Sequence, residues 1–162
     1  MSLQIRTATD ADRDAVWGIM EPVIRAGETY ALARDMTKAN ALAHWFASDR
    51  TVSVAEDAGE MLGTYYLRAN RPGPASHVAN AGFMVSEKAG GRGIGQALCA
   101  HALTAAKAAG FQSMQFNFVV ASNERAVRLW QRMGFDIVGR VPDAFLHPIH
   151  GMRDALVMYR KL

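Results

Sequence analysis

The chain of 162 residues is half apolar and carries 18 basic against 15 acidic side chains, a net charge of +3 with a pI near 9.3. This size supports one packed domain over residues 1–162 and leaves little room for a second. A single cysteine, Cys99, excludes an internal disulfide and a multi-cysteine zinc site, and the basic residues are scattered among acids, so no nucleic-acid partner is expected.

The opening MSLQIRTATD is polar and the apolar runs fall short of the ~20 residues of a membrane span, so the expectation is a cytoplasmic chain with no membrane partner. Leu3 to Ala8 reads as a first strand. Thr9 then caps a helix carrying Val16, Ile19, Met20 and Val23 at helical spacing, which Pro22 is expected to kink or end. The segment GETYALARDM is irregular, and Thr37 caps a second short helix with Leu42, Trp45 and Phe46 on its apolar face. Thr51 to Glu56 and Met61 to Leu67 flank the turn DAGE as a hairpin. RANRPGPASH reads as a loop, and His77 to Val85 as a fourth strand.

A glycine cluster follows, then a helix from Ile94 to Ala109 with Leu98, Ala102 and Ala105 on one stripe and Gly110 as its stop. Ser113 to Val120 alternates Met114, Phe116 and Phe118 against Gln115 and Asn117, the pattern of a half-buried strand. Asn123 opens a helix bearing Ala126, Leu129, Trp130 and Met133, ended by Gly134. Phe135 to Val141 and Asp154 to Arg160 complete the strands, separated by the loop PDAFLHPIHGM. The order βααβββαβαββ implies an α/β fold, a mixed sheet with helices on both faces.

The most informative segment is VSEKAGGRGIGQAL, where Gly90, Gly91, Gly93 and Gly95 cluster before a strong helix. Such a turn frees backbone N–H groups and lets a ligand approach the backbone, while the helix N-terminus adds partial positive charge, so a pyrophosphate fits there. Lys88 and Arg92 are placed to add charge-assisted contacts. A Walker motif would need Lys and Ser/Thr after Gly95, where Gln96 and Ala97 stand. A dinucleotide fingerprint starting at Gly91 would need glycine or alanine at Gln96.

VSEKAGGRGIGQAL resembles the acetyl-CoA-binding signature of the GNAT acetyltransferase superfamily, with Gly93 and Gly95 at its two small positions. IRTATDADRDAV is similar to the first strand and helix of that superfamily, and NERAVRLWQRMGF to its second signature, so the resemblance covers nearly the whole chain. FNFVVASNERAVRLW further resembles fungal acetyltransferases that act on proline analogues such as azetidine-2-carboxylate. Gly90 departs from the pattern where Arg or Gln is usual, and Trp130 where many members have the tyrosine that protonates the leaving thiolate; an indole cannot act as that acid.

The resemblance implies a mostly antiparallel GNAT-like sheet and an enzyme, an acetyl-CoA-dependent N-acetyltransferase without a metal. It implies direct attack of a neutral amine on the thioester, in a gap between the fourth and fifth strands. Acetyl-CoA, the co-substrate, would be held by Met84, Val85, Gly90, Gly91, Arg92, Gly93, Ile94, Gly95, Gln96, Asn123 and Trp130. The backbone N–H of Met84 or Val85 would serve the oxyanion. The acceptor is expected to be a small, amino-acid-like amine contacted by Glu28, Tyr30, Asn80 and Asn117. Glu28, Asp143, Glu124, His77, His147 and His150 are alternative bases, Glu28 being placed among the catalytic candidates. A homodimer is a further expectation. The alternatives are an acyl-CoA-binding or sensing module with little catalysis, and a protein or peptide N-acetyltransferase, which would need an open groove.

Overall fold

Local signals and long-range pairing meet in seven strands and four helices in the computed structural model, which describes residues 2–162. In chain order they are β1 (Gln4–Thr7), α1 (Arg13–Ala26), α2 (Lys38–Trp45), β2 (Thr51–Asp57), β3 (Glu60–Ala69), β4 (Val78–Val85), α3 (Ile94–Ala108), β5 (Ser113–Val120), α4 (Glu124–Arg132), β6 (Asp136–His147) and β7 (Gly151–Lys161). The order is the expected βααβββαβαββ. One sheet, ordered β1-β2-β3-β4-β5-β7-β6, is antiparallel throughout except for the parallel pair β4–β5. No helix among the described residues is long and apolar enough to cross a membrane.

The sheet has a core on each face, because each helix has one apolar stripe to bury. On one side Val16, Met20 and Ile24 of α1 and Leu42 and Trp45 of α2 pack on Val52, Val54 and Tyr66. On the other, Leu98, Cys99, Ala102 and Ala106 of α3 pack with Leu62, Tyr65, Met114, Phe116 and Phe135. Ala106 takes the fully buried place on α3 and Ala105 a half-buried one. Thr37 caps α2 as expected, its Oγ1 accepting the Asn40 N–H at 3.2 Å.

Three expectations need correction. Pro22 neither ends α1 nor removes its apolar stripe: the helix continues to Ala26 and stops at Gly27, whose φ is 65°. The carbonyl that loses its donor belongs to exposed Gly18, where solvent can replace it, and burial of Ile24 beyond the proline holds the last turn. Phe118 is not on the buried face of β5. The register slips between Phe116 and Val119, so Val119 enters the core and Phe118 is left 39% exposed. PDAFLHPIHGM is mostly strand rather than loop, since β6 runs to His147 and β7 starts at Gly151. Pro142 is tolerated because β6 is an edge strand, and a bulge containing Asp143 at φ 50° absorbs the irregularity.

Arg6 of β1 forks onto Asp12 at 2.8 and 2.9 Å and also reaches Glu56 of β2, while Asp12 accepts the Thr9 N–H at 2.7 Å. This ties the start of α1 to the edge of the sheet. The Arg6 hydrogen bonds hold the Asp12 carboxyl at about 2, below its usual range. A depressed folded-state value means the stabilisation is complete above the unfolded value near ~3.9 and lost as pH falls towards the folded one. Asp12→Asn is therefore expected to lower stability by about 2 kcal/mol at pH 7 and to narrow that gap between pH ~4 and pH ~2, as read by denaturant melts at each pH.

Candidate functional site

The site begins where two strands part. β4 and β5 pair only at Val78–Ser113 and Ala79–Met114, and beyond these residues they diverge. Asn80 spans the start of the gap: its Nδ2 donates to the Gln115 carbonyl at 2.9 Å and its Oδ1 accepts from Arg68 Nε at 3.3 Å. The opening is a cleft of about 660 Å³ with lining residues from both faces of the sheet, which include α3 and α4 on one side and α2 and the α1–α2 connection on the other.

Antiparallel register decides which backbone groups face this cleft. Asn70 N–H bonds Val78 carbonyl and Ser86 N–H bonds Leu62 carbonyl, so the even-numbered residues of β4 make their hydrogen bonds to β3. Met84, opposite Thr64, belongs to that set. The odd-numbered residues Phe83 and Val85 turn their N–H and carbonyl groups towards the gap. Tyr30 takes advantage of this, its hydroxyl donating to the Phe83 carbonyl at 2.7 Å and pinning the α1–α2 connection against the cleft. Burial raises the Tyr30 pKa, so this hydroxyl keeps its proton. The Val85 N–H is the donor at the strand end aimed into the cleft, and Met84 is corrected as an oxyanion donor because β3 takes its N–H.

On the α3 side, Gly91 and Gly93 adopt φ of 73° and 71°, and a Cβ at either would meet no atom within 4 Å. The first backbone bond of α3 runs from Ala97 N–H to Gly93 carbonyl, so the N–H groups of Ile94, Gly95 and Gln96 have no intrahelical acceptor. All three residues line the cleft with Gly90, Gly91 and Gly93. Gly95 also allows close packing of α3 on α4, since its Cβ would stand 3.2 Å from Leu129. Asn123 caps α4 by accepting the Ala126 N–H at 3.4 Å and also lines the cleft. Trp130 forms an aromatic wall with Phe83 and Phe116, each ring centroid 5.0 Å away. No residue of α4 is fully buried, because the face bearing Ala126, Leu129 and Trp130 looks into the cleft.

On the opposite side the mouth is lined by Thr29, Tyr30, Leu32, His44, Tyr66 and Asn117. Tyr66 lies against Gly82 and is met edge-on by Trp45 at 4.8 Å. Asn117 donates to Asn70 Oδ1 at 2.6 Å and accepts from Gln115 at 3.0 Å, so its amide, like that of Asn80, is already satisfied within the protein. Burial, then the positive charges of Arg50 and Arg68, lower the His44 pKa and favour the neutral imidazole.

Residues 20–135 match the Acetyltransferase (GNAT) family, well over half of the chain. The chain belongs to that family. It is similar to a GCN5-related N-acetyltransferase from Kribbella flavida, at 44% identity and a TM-score of 0.95, covering 99% of this chain and 98% of that one. It is 33% identical to the N-acetyltransferase aca1 of Schizosaccharomyces pombe over 75% of this chain, a stretch that spans 66% of the S. pombe protein. The fold is shared by yncA of Salmonella typhimurium, solved with its cofactor acetyl-CoA, at a TM-score of 0.87 and 21% identity over 100% of this chain and 95% of that one.

Acetyl-CoA fits the GNAT cleft on its own geometry, because a glycine turn with open space above it and unpaired helix N–H groups suits a pyrophosphate. Of the sequence-derived coenzyme residues, Met84, Val85, Gly90, Gly91, Gly93, Ile94, Gly95, Gln96, Asn123 and Trp130 all line the cleft. Arg92 does not: its guanidinium is held by Asp57 at 2.7 Å. Among the acceptor residues Tyr30, Asn80 and Asn117 line it, whereas Glu28 is exposed and stands outside. The other sequence-derived bases, Asp143, Glu124, His77, His147 and His150, are also absent from its lining. His44 was missed. Its one signal was a titratable group next to Trp45 in the last turn of a short helix, and that pattern alone does not say where the helix docks.

Proposed function

We propose that this GNAT member is an acetyl-CoA-dependent N-acetyltransferase acting on the amine of a small, amino-acid-like molecule. The observation that carries this reading is the cleft at the β4–β5 gap, with a glycine turn and open helix N-terminus at one mouth, a polar and aromatic enclosure at the other, and the Val85 N–H between them. The enclosure supports a small acceptor over a protein substrate, since the Tyr30–Phe83 bond draws the α1–α2 connection over the mouth instead of leaving a groove. The K. flavida and S. pombe relatives are N-acetyltransferases, which agrees with amine acetylation.

Bound acetyl-CoA supplies an activated thioester. The Val85 N–H, left free by β3 and facing the gap, supports a role as hydrogen-bond donor to the thioester carbonyl oxygen as charge develops there, an interaction typically worth about 3 kcal/mol in the transition state. His44, whose neutral form is favoured by burial, is the proton acceptor on the acceptor side, directly or through water, as the bound ammonium loses a proton to become the neutral amine that attacks. Trp130 packs along the cleft and donates no acidic proton. A thiolate with a parent pKa of about 8.5 leaves without an obligatory acid, so the missing tyrosine does not block turnover. Release of free thiol is expected with amino acids or their cyclic analogues and not with peptides bearing internal lysine; a panel in which only the peptides react would overturn the small-acceptor reading.

The apolar edge of β6, where Ile137, Val138, Val141 and Leu146 are exposed, supports the expectation of a homodimer. Sedimentation at micromolar concentration is expected to give twice the chain mass, and a monomer there would refute it.

A further inference from the structure

Along the open edge of β4 the polar groups follow in the order Phe83 N–H, Phe83 carbonyl, Val85 N–H and Val85 carbonyl, because each odd-numbered residue turns both of its groups towards the gap. The Phe83 carbonyl is therefore the neighbour of the Val85 N–H, and its partial negative charge opposes an anion forming there. The Tyr30 hydroxyl covers that carbonyl, donating to it at 2.7 Å. Burial raises the Tyr30 pKa, so the phenol remains a donor and adds no charge of its own.

The phenol is held by its ring and by its segment. Its ring meets Trp45 edge-on at 6.3 Å, and Trp45 is fully buried with its indole Nε1 donating to the Thr64 hydroxyl at 3.1 Å. The connection that carries Tyr30 is closed at its neck by two reciprocal bonds, from Arg25 Nη1 to the Arg34 carbonyl and from Arg34 Nε to the Arg25 carbonyl. Gly27 turns the chain between them at φ 65°, where a Cβ would stand 2.5 Å from Arg34 Cδ. Residues 25–34 thus form a loop stapled at the neck and latched to β4 by Tyr30. Thr29, Tyr30 and Leu32 line the cleft from this loop, while Arg25 and Arg34 stand outside it. A loop closed in this way has little freedom left to lose when a ligand arrives.

We propose that Tyr30 is a positioning residue for the transfer step: by covering the Phe83 carbonyl it leaves the Val85 N–H as the unopposed polar group of β4 beside the thioester oxygen. This role rests on the acetyl-transfer reading above and on the Val85 N–H as donor to that oxygen. The one O–H of Tyr30 is committed to Phe83, so the residue acts through that carbonyl and not by donating to the acceptor. The two fastenings of the loop have separate effects. The latch acts where charge develops in the transition state, whereas the staple fixes the wall against which the acceptor binds, in the ground state and the transition state alike.

Tyr30→Phe keeps the ring on Trp45 and removes only the hydroxyl. With the fastest acceptor of the panel above, the single-turnover rate of thiol release is expected to fall about 10-fold, with the half-saturating acceptor concentration and the acetyl-CoA affinity each within about 3-fold of the unmodified protein. Arg34→Ala opens the neck and leaves the Tyr30–Phe83 bond, so the opposite split is expected, about 10-fold in half-saturating acceptor and less than about 3-fold in rate. Thermal melts show that each variant is folded. An unchanged rate in Tyr30→Phe, or a loss that falls on acceptor binding as in Arg34→Ala, would overturn the proposal, because the hydroxyl would then serve the loop alone. A second readout needs no acceptor: on titration with acetyl-CoA the Val85 amide proton resonance should move downfield saturably, and Tyr30→Phe should reduce that movement. The same Val85 response in both proteins would overturn the positioning role. A Tyr30-dependent response in a protein that releases thiol to no acceptor would leave the role standing and remove the acetyl-transfer reading.

Discussion

Gly93→Val is expected to weaken acetyl-CoA binding by ~100-fold while the protein still folds. Gly93 stands at φ 71° as the residue preceding α3, in the left-handed region that a β-branched side chain strongly disfavours. The strain alone costs about 2 kcal/mol, a fraction of ordinary domain stability, so a lowered melting temperature and not an unfolded chain is the expected result. No atom lies within 4 Å of where the Cβ would stand, so the new side chain meets no protein but occupies the open space over the turn. That space is the proposed seat of the pyrophosphate. Gly93→Ala separates the two effects, since it carries most of the backbone strain and little of the bulk. Calorimetric titration with acetyl-CoA should rank the proteins Gly, Ala, Val in falling affinity, and wild-type affinity in a folded Gly93→Val protein would mean that the turn holds no phosphate.

Gly82→Ala is expected to act on the other mouth. The added methyl would stand 2.4 Å from Tyr66 Cε2 and 2.8 Å from Cζ, a separation that real atoms do not tolerate. Tyr66 has little freedom to yield, being met by Trp45 on its edge and by the Arg50 guanidinium on its face. Overpacking of this kind typically costs about 1–3 kcal/mol, or roughly 3–10 °C in melting temperature for a chain of this size. Displacement of Tyr66 would also disturb the acceptor mouth, so kcat/KM for the acceptor should fall at least ~10-fold while acetyl-CoA affinity stays near wild type. Tyr66→Leu in the Gly82→Ala background should recover stability by removing the ring, giving a coupling energy of opposite sign to the single losses. Additive losses in that double-mutant cycle would show that the two residues do not press on each other.

Much of the architecture was legible because it rests on local periodicity. Val16, Ile19 and Met20 recur at helical spacing and are buried, and the DAGE turn does close a hairpin. The departures occur where an edge or a bulge relaxes the local rule. Phe118 fits strict alternation and loses its place to a register slip, and Pro142 looks like a loop residue although an edge strand can hold it. Arg92 illustrates a different limit: its position in the glycine turn suggests a phosphate ligand, yet Asp57 at the end of β2 comes close enough to claim it.

By itself the sequence determined the order of elements, the glycine turn before α3 and the presence of aromatic and amide side chains on β4, β5 and α4, because caps, turns and apolar stripes act over a few neighbouring residues. Tertiary structure decided which of these face one another. Whether Met84 or Val85 presents a free N–H depends on the register of β4 against β3, since a shift by one residue exchanges the groups that face the gap. The cleft exists because β4 and β5 part after two paired positions, and His44 and Tyr66 reach it only because α2 and the adjoining strands dock on that face of the sheet. These are contacts between segments distant along the chain, fixed by packing and by hydrogen bonds that no local pattern encodes.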